Sequence, residues 1–269
     1  MIEVKNLCGG FSHTIAVNDV SFKLQNGKTY GILGQKGAGK STLMAMLSGS
    51  ITPISGSVLI NGFDIQREEK QAKPCIGYLP QNLVPYHDMT PLEYLLFVAD
   101  AKKLPYNRTT RQIHELLDLM GFKDEKKRLI GFLSKGQQRC LAIAQTMLGK
   151  AEILFLDDPY DGLGSNDSQV VHTLIDYIAK KKTIIISSSR LSDLKQNCQE
   201  ILILSQGKII DIKDPFNSTL DAFLSSLPQE ASLEKNNKKQ KKKSRTLSIL
   251  TQKQMEYEVI DEKEEEDKK

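Results

Sequence analysis

Gly34, Gln35, Lys36, Gly37, Ala38, Gly39, Lys40, Ser41 and Thr42 have the types and the spacing to hold phosphate. They fit the pattern G-x-x-x-x-G-K-[ST], with the apolar run YGILG leading in and the helix-like run TLMAMLSG leading out. Glycines so spaced let successive backbone N–H groups turn inward around phosphate oxygens, and a helix start behind them adds partial positive charge. Lys40 is then placed to reach the β- and γ-phosphates of a nucleoside triphosphate, and the Ser41 hydroxyl to ligate Mg²⁺. That cation is hard and takes oxygen ligands, so a carboxylate belongs beside the phosphates. Ile153–Asp158, reading ILFLDD, supplies it: the apolar residues fit a buried central strand, and Asp157 stands at its carboxyl end.

These groups need a scaffold that brings strand ends together. Apolar, β-branched runs alternate with helical stretches: Thr29 to Leu33 before a helix from Gly39, Ile153 to Leu156 before Val170 to Lys180, then Thr183 to Ser187. That alternation predicts a parallel α/β sheet. Ile2 to Leu7, Val17 to Leu24 and Gly56 to Ile60, the last with its Asn61-Gly62 turn, predict antiparallel strands along one side. Residues 89–148 read as a mostly helical insert, with Pro91 at a helix start and Gly121 at a helix end. Near Pro228 the composition changes: Lys235 to Arg245 carries seven basic residues and no acidic one, and Glu256 to Lys269 eight acidic ones. Such blocks cannot bury enough surface to fold alone, so the expected division is a domain over 1–227 and a disordered charged tail over 228–269. The tail reads either as a solvated segment whose halves attract or as a basic stretch that touches anionic lipid or RNA.

A chain of 269 residues, 39% hydrophobic and 26% charged, has material for a real core and is not a disordered polymer. Its net charge of +4 is too slight for the concentrated basic surface of a nucleic-acid binder. No apolar run approaches the roughly 18 to 20 residues that cross a bilayer. The opening MIEVKNLCGG lacks a basic segment followed by an apolar one, so no secretory leader is expected and the cytoplasmic side is. Cys8, Cys75, Cys140 and Cys198 are widely spaced, which predicts reduced thiols rather than a disulfide framework or a zinc site.

Phosphate loops and their acidic strands occur in kinases, GTPases and helicases alike, and the segment between them discriminates. FLSKGQQRCLAIAQTML, Phe132 to Leu148, followed shortly by ILFLDDP, resembles the signature helix and acidic strand of ATP-binding-cassette (ABC) ATPases. The similarity spans roughly residues 1 to 215, including Tyr78 to Gln81 at the position of the family's glutamine loop and Ile201 to Ile210 at its closing strands. GYLPQNLVPYHDMTPLEYLLFVA and the LSKG form of the signature look most like the branch that serves export-type permeases. The resemblance implies a P-loop NTPase, RecA-like α/β core with an antiparallel β subdomain and a helical subdomain. It also implies ATP and Mg²⁺ as ligands, a second ABC ATPase subunit and a membrane permease as partners, and a place at the cytoplasmic face of the membrane. Phe11 stands where an aromatic ring stacks on adenine, the alternative being a core aromatic at a strand edge. Gln81 stands where the family's glutamine meets Mg²⁺ or the attacking water; an ordinary polar turn residue is the alternative. Ser134, Gly136 and Gln137 belong to the signature, with Ser134 as its helix N-cap facing the γ-phosphate held by a partner subunit.

Three positions depart from the family pattern. Asp158 replaces the glutamate that acts as general base after the metal aspartate, which shortens the stem by one methylene. Ser189 replaces the switch histidine, and a hydroxyl neither carries charge nor reaches as far. Gly162-Leu163-Gly164 lacks the carboxylate of the usual G-L-D. Lys135, in place of the signature's first glycine, is common in this branch. Together these substitutions predict a site that binds ATP well and hydrolyses it slowly, roughly 10²-fold or more below a complete one. The signature itself can still complete the site of a partner ATPase. The runner-up expectation is a non-hydrolysing regulatory or scaffold subunit.

Overall fold

The computed structural model describes residues 1–11, 14–122 and 127–216. The expectation of a charged tail lies outside them. The described part holds two sheets. Strands β1 (Ile2–Phe11), β2 (Thr14–Leu24), β3 (Thr29–Leu33), β4 (Ser55–Ile60), β5 (Phe63–Asp64), β6 (Ile76–Leu79), β7 (Ile153–Asp157), β8 (Thr183–Ser188), β9 (Glu200–Ser205) and β10 (Lys208–Lys213) are joined by seven α-helices. The helices are α1 (Lys40–Leu47), α2 (Glu69–Ala72), α3 (Pro91–Ala101), α4 (Tyr106–Leu119), α5 (Lys135–Thr146), α6 (Ser165–Ala179) and α7 (Leu191–Lys195).

The larger sheet has the order β10-β9-β3-β8-β7-β6, parallel from β9 to β6 and antiparallel only at β10. Every residue of β3, β7 and β8 is buried. Continuous apolar runs of this kind, rather than alternation, mark strands covered on both faces. The smaller sheet, β2-β1-β4-β5, is antiparallel throughout and closes on the Asn61-Gly62 turn. Its strands alternate instead, and Ile2, Val4, Val58 and Ile60 form the covered face. Helix α1 joins the two layers, because Leu43, Met44, Met46 and Leu47 are all buried in one core shared with β1, β2, β7 and β8.

The helical insert is present but divided. Pro91 is the first residue of α3, capped by Thr90, whose hydroxyl accepts from the Glu93 N–H while the Glu93 side chain returns to the Thr90 N–H. Pro105 separates α3 from α4, a break that the sequence reading did not anticipate. Helix α4 buries Ile113, Leu116 and Leu117 on one face, and Gly121 follows its end at φ +73°. Between Gly121 and Ser134 the described chain is irregular apart from one 3₁₀ turn, and helix α5 completes the stretch. Strand β6 and helix α7 were likewise not foreseen.

Candidate nucleotide site

In a parallel sheet the carboxyl ends of neighbouring strands share one edge, and loops leaving that edge meet. Register sets which residues meet here: Leu33 of β3 lies opposite Ser188 of β8, and Asp157 of β7 opposite Ser187 of β8. The residues that follow each strand therefore converge. A pocket of about 280 Å³ opens there, lined by Lys36, Gly37, Gly39, Lys40, Ser41, Thr42, Gln81, Asp158, Asp161, Ser189 and Ala16. Gly34, Gln35 and Ala38 complete the loop without facing the pocket.

Gly39 precedes α1 with φ +102°, and a β-carbon there would lie 2.2 Å from the Ala16 carbonyl oxygen of β2. Only glycine allows that turn and that approach together. Lys40 is buried, and its Nζ donates to the carbonyls of Gly34 at 2.8 Å and Gln35 at 3.0 Å. The ammonium thus arches over the loop beside the α1 N-terminus, where first-turn N–H groups lack helical partners. The Ser41 hydroxyl lies on the exposed side.

Asp157 is 1% exposed and, unlike Asp158, is not among the residues that line the pocket. Its Oδ1 accepts from Ser187 Oγ at 2.5 Å, and the same Ser187 oxygen accepts from the Asp158 N–H at 2.9 Å. Ser187 thus fixes both acidic residues at once, a role hidden in the apolar run TIIISS. Asp158 adopts φ +47°, a left-handed turn that lifts its side chain into the pocket. Burial, then the Asp161 carboxylate, push its acid up to about 6, against the opposing pull of Lys40. Tyr160 roots this turn: its ring stacks on His172 at 4.3 Å and its hydroxyl donates to Asn197 at 2.8 Å.

Ser189 is exposed at the tip of the turn after β8. That turn is ordered from below, since Ser188 Oγ donates to Asp193 at 2.7 Å while Arg190 donates from its backbone to Ser188 Oγ and from Nε to Asp193. Gln81 reaches the pocket from the loop after β6. The side chain of Phe11 lies outside the described residues, and only its backbone, at the end of β1, is placed.

The donor set fits a magnesium triphosphate. Ser41, Gln81 and Asp157 offer hydroxyl, amide and carboxylate oxygens, and Mg²⁺ characteristically takes one or two carboxylates beside other oxygen donors, with phosphate and water completing its shell. Among the described residues no cluster of three His, Cys, Asp or Glu could hold a metal ion on its own.

Ser134, Gly136 and Gln137 lie away from this pocket, at the start of α5. Ser134 is the N-cap, as expected: its hydroxyl accepts from the Gln137 N–H at 3.2 Å, and the Gln137 side chain accepts from the Ser134 N–H at 2.9 Å. Ser134 Oγ also donates to Asp167 of α6 at 2.8 Å. Gly136 is buried against that residue, and a β-carbon would come within 2.8 Å of the Asp167 Cα. Gly136→Ala must therefore part α5 from α6. The overpacking cost of about 1 to 3 kcal/mol exceeds the gain of up to about 1 kcal/mol from replacing glycine in a helix. A fall of a few degrees in thermal midpoint is expected by scanning calorimetry; an unchanged midpoint would show that the two helix starts separate freely.

Residues 17–161 match the ABC transporter family. The chain is 32% identical over 209 residues to YxlF of Bacillus subtilis (strain 168), an uncharacterised ABC transporter ATP-binding protein, covering 78% of this chain and 69% of that one. It is 29% identical over 213 residues to LnrL of the same organism, the linearmycin resistance ATP-binding protein, covering 79% and 68%. Among solved structures it resembles an ATP-binding subunit of an ABC transporter at TM-score 0.69 and 23% identity, over 84% of this chain and 95% of that one. It also resembles the dimeric, post-hydrolysis cassette MJ0796 bound to ADP and Pi at TM-score 0.68 and 20% identity, over 80% and 99%. By the match of its residues 17–161 and its likeness to these ATP-binding proteins, the chain belongs to the ABC transporter family as an ATP-binding domain.

Proposed function

We propose that this chain is the ATP-binding subunit of an exporter: it binds Mg·ATP at Lys40, pairs with a second cassette, and acts on a separate permease at the cytoplasmic face of the membrane. The observation that carries the reading is the shared edge that gathers Lys40, Ser41, Gln81, Asp158 and Ser189 into one pocket while the Ser134 helix start stays exposed elsewhere. A phosphate loop and a signature tip held apart in one chain suit two chains that complete each other's sites. In that role the loop N–H groups and Lys40 hold the phosphates, and Ser41, Gln81 and Asp157 hold the cation. Held by those residues, Mg²⁺ would supply neutralisation of the charge that develops on the triphosphate. The Asp158 carboxylate receives the proton of the attacking water, and Ser189 orients the terminal phosphate by a neutral hydrogen bond.

The shorter base and the uncharged switch residue favour slow turnover at the chain's own site. Its intact α5 start suits a heterodimer in which a complete partner hydrolyses faster. The permease reading draws on a groove of about 270 Å³ beside the Gln81 loop, lined by Leu83, Val84, Pro85, His87, Lys135 and Arg139 among others. Val84, Tyr86 and Phe97 stand exposed on and beside that loop, and such apolar surface marks an interaction site. The test is a calorimetric ATP titration of the full chain together with its capture of a membrane protein. Val84→Asp with Tyr86→Asp should abolish capture of the permease and leave ATP affinity within about two-fold. Failure to bind ATP would overturn the whole reading, and undiminished capture the assignment of the groove.

A further inference from the structure

The loop that carries Gln81 is held at two points. Gln81 Nε2 donates to Asp161 Oδ2 at 3.1 Å, and Arg139 Nη1 of α5 donates to the Gln81 backbone carbonyl at 3.2 Å. The two cavities described above meet at this contact: Gln81 and Asp161 line the phosphate pocket, whereas Arg139 and Asp161 line the neighbouring groove. Asp161 therefore stands in the partition between them and faces both.

An amide has one oxygen, which can ligate a cation, and one NH₂, which cannot. A carboxylate only accepts, so it takes the NH₂; the flipped amide would set oxygen against oxygen. Asp161 thus selects between the two faces of Gln81. We infer that Asp161 is a positioning residue: with Arg139 it clamps Gln81 so that the amide turns Oε1, rather than Nε2, toward the metal side of the pocket. The inference rests on the reading of Gln81 as a magnesium-side ligand and goes beyond it, since that reading asks nothing of Asp161.

Asp161 is exposed, so its hydrogen bond has the modest strength of a solvated one and its substitution does not put the core at risk. Removing the carboxylate also removes a negative charge beside the phosphates, so the informative comparison is Asp161→Ala against Asp161→Asn: asparagine loses the charge, keeps an acceptor for the Gln81 NH₂ and gives up only the carboxylate's exclusion of the flipped amide. ATP is titrated calorimetrically into each full-length variant with Mg²⁺ and again with EDTA. With Mg²⁺, Asp161→Ala should bind about 3- to 10-fold more weakly than Asp161→Asn, the ratio that a net hydrogen bond supplies. With EDTA the two should agree within about two-fold. Placed on Gln81→Ala, which by itself should weaken Mg·ATP binding, the Ala–Asn difference should shrink below about two-fold, as coupled neighbours require. A difference that persists without Mg²⁺ or in the Gln81→Ala background, or no difference at all, would overturn the inference and leave the reading of Gln81 standing. If Gln81→Ala leaves Mg·ATP affinity unchanged, the reading of Gln81 falls and the inference with it.

Discussion

Lys40→Ala is expected to weaken ATP binding by roughly 100-fold or more in an equilibrium titration. The ammonium is buried beside a loop whose backbone offers N–H groups to phosphate, and a buried charge-assisted pair loses about 2 to 5 kcal/mol when one partner is truncated. The same variant removes two bonds that organise the loop, those from Nζ to the carbonyls of Gly34 and Gln35. Part of the loss therefore comes from a loop that no longer holds its shape before the nucleotide arrives. A thermal scan separates the two contributions. At a nucleotide concentration of 100 times the wild-type Kd, the wild type gains about 2.7 kcal/mol of stability, and a variant weakened 100-fold should gain at most about 0.4 kcal/mol. Its midpoint without nucleotide should drop only slightly, because the buried residues of α1 hold the helix against both sheets. A variant that still binds within about three-fold of wild type would remove Lys40 from the phosphate site.

The sequence made the strongest local patterns readable and left their mutual placement obscure. The phosphate loop was legible because glycines, lysine and a hydroxyl must stand at fixed spacing within one turn. The fully apolar runs of β3, β7 and β8 were legible for a similar reason, since burial on both faces leaves no polar position. Ser187 was not: a serine at the end of TIIISS gives no sign of its neighbour until the β7–β8 register sets it against Asp157. Asp161 escaped notice because its partner Gln81 lies 80 residues earlier and no periodicity links the two. Strand β6 spans only four residues and helix α7 only five, too few for a period to show in the sequence. Local chemistry is written in spacing; second partners are written in topology.

The proposed slow turnover at Asp158 and Ser189 carries its own expected result. Asp158→Glu combined with Ser189→His is expected to raise the ATPase rate about 10- to 100-fold, measured on the chain in complex with its permease. The base position stands on a rooted turn: the Asp158 N–H is held by Ser187, and Tyr160 two residues on is buried against His172. A longer stem there carries the carboxylate on the order of 1 Å further, a distance that governs rates by about a hundredfold in positioned catalysis. The left-handed backbone of Asp158 is the opposing consideration, since glutamate tolerates φ +47° less readily than aspartate. That strain is of order 1 kcal/mol and should appear as a lower thermal midpoint, not as lost turnover. Ser189 sits on a turn already ordered by Ser188, Arg190 and Asp193, so an imidazole placed there inherits a fixed origin and needs no new support. It would add reach and a positive charge toward the terminal phosphate, where charge develops as the bond breaks. The two changes should reinforce each other, with each single variant recovering less than its share of the double. The gain should lie in kcat with KM nearly unchanged, because in the proposed role Lys40 and the loop bind the ground state. A double variant no faster than wild type would mean that turnover is limited elsewhere, and the slow-chemistry reading of Asp158 and Ser189 would fail.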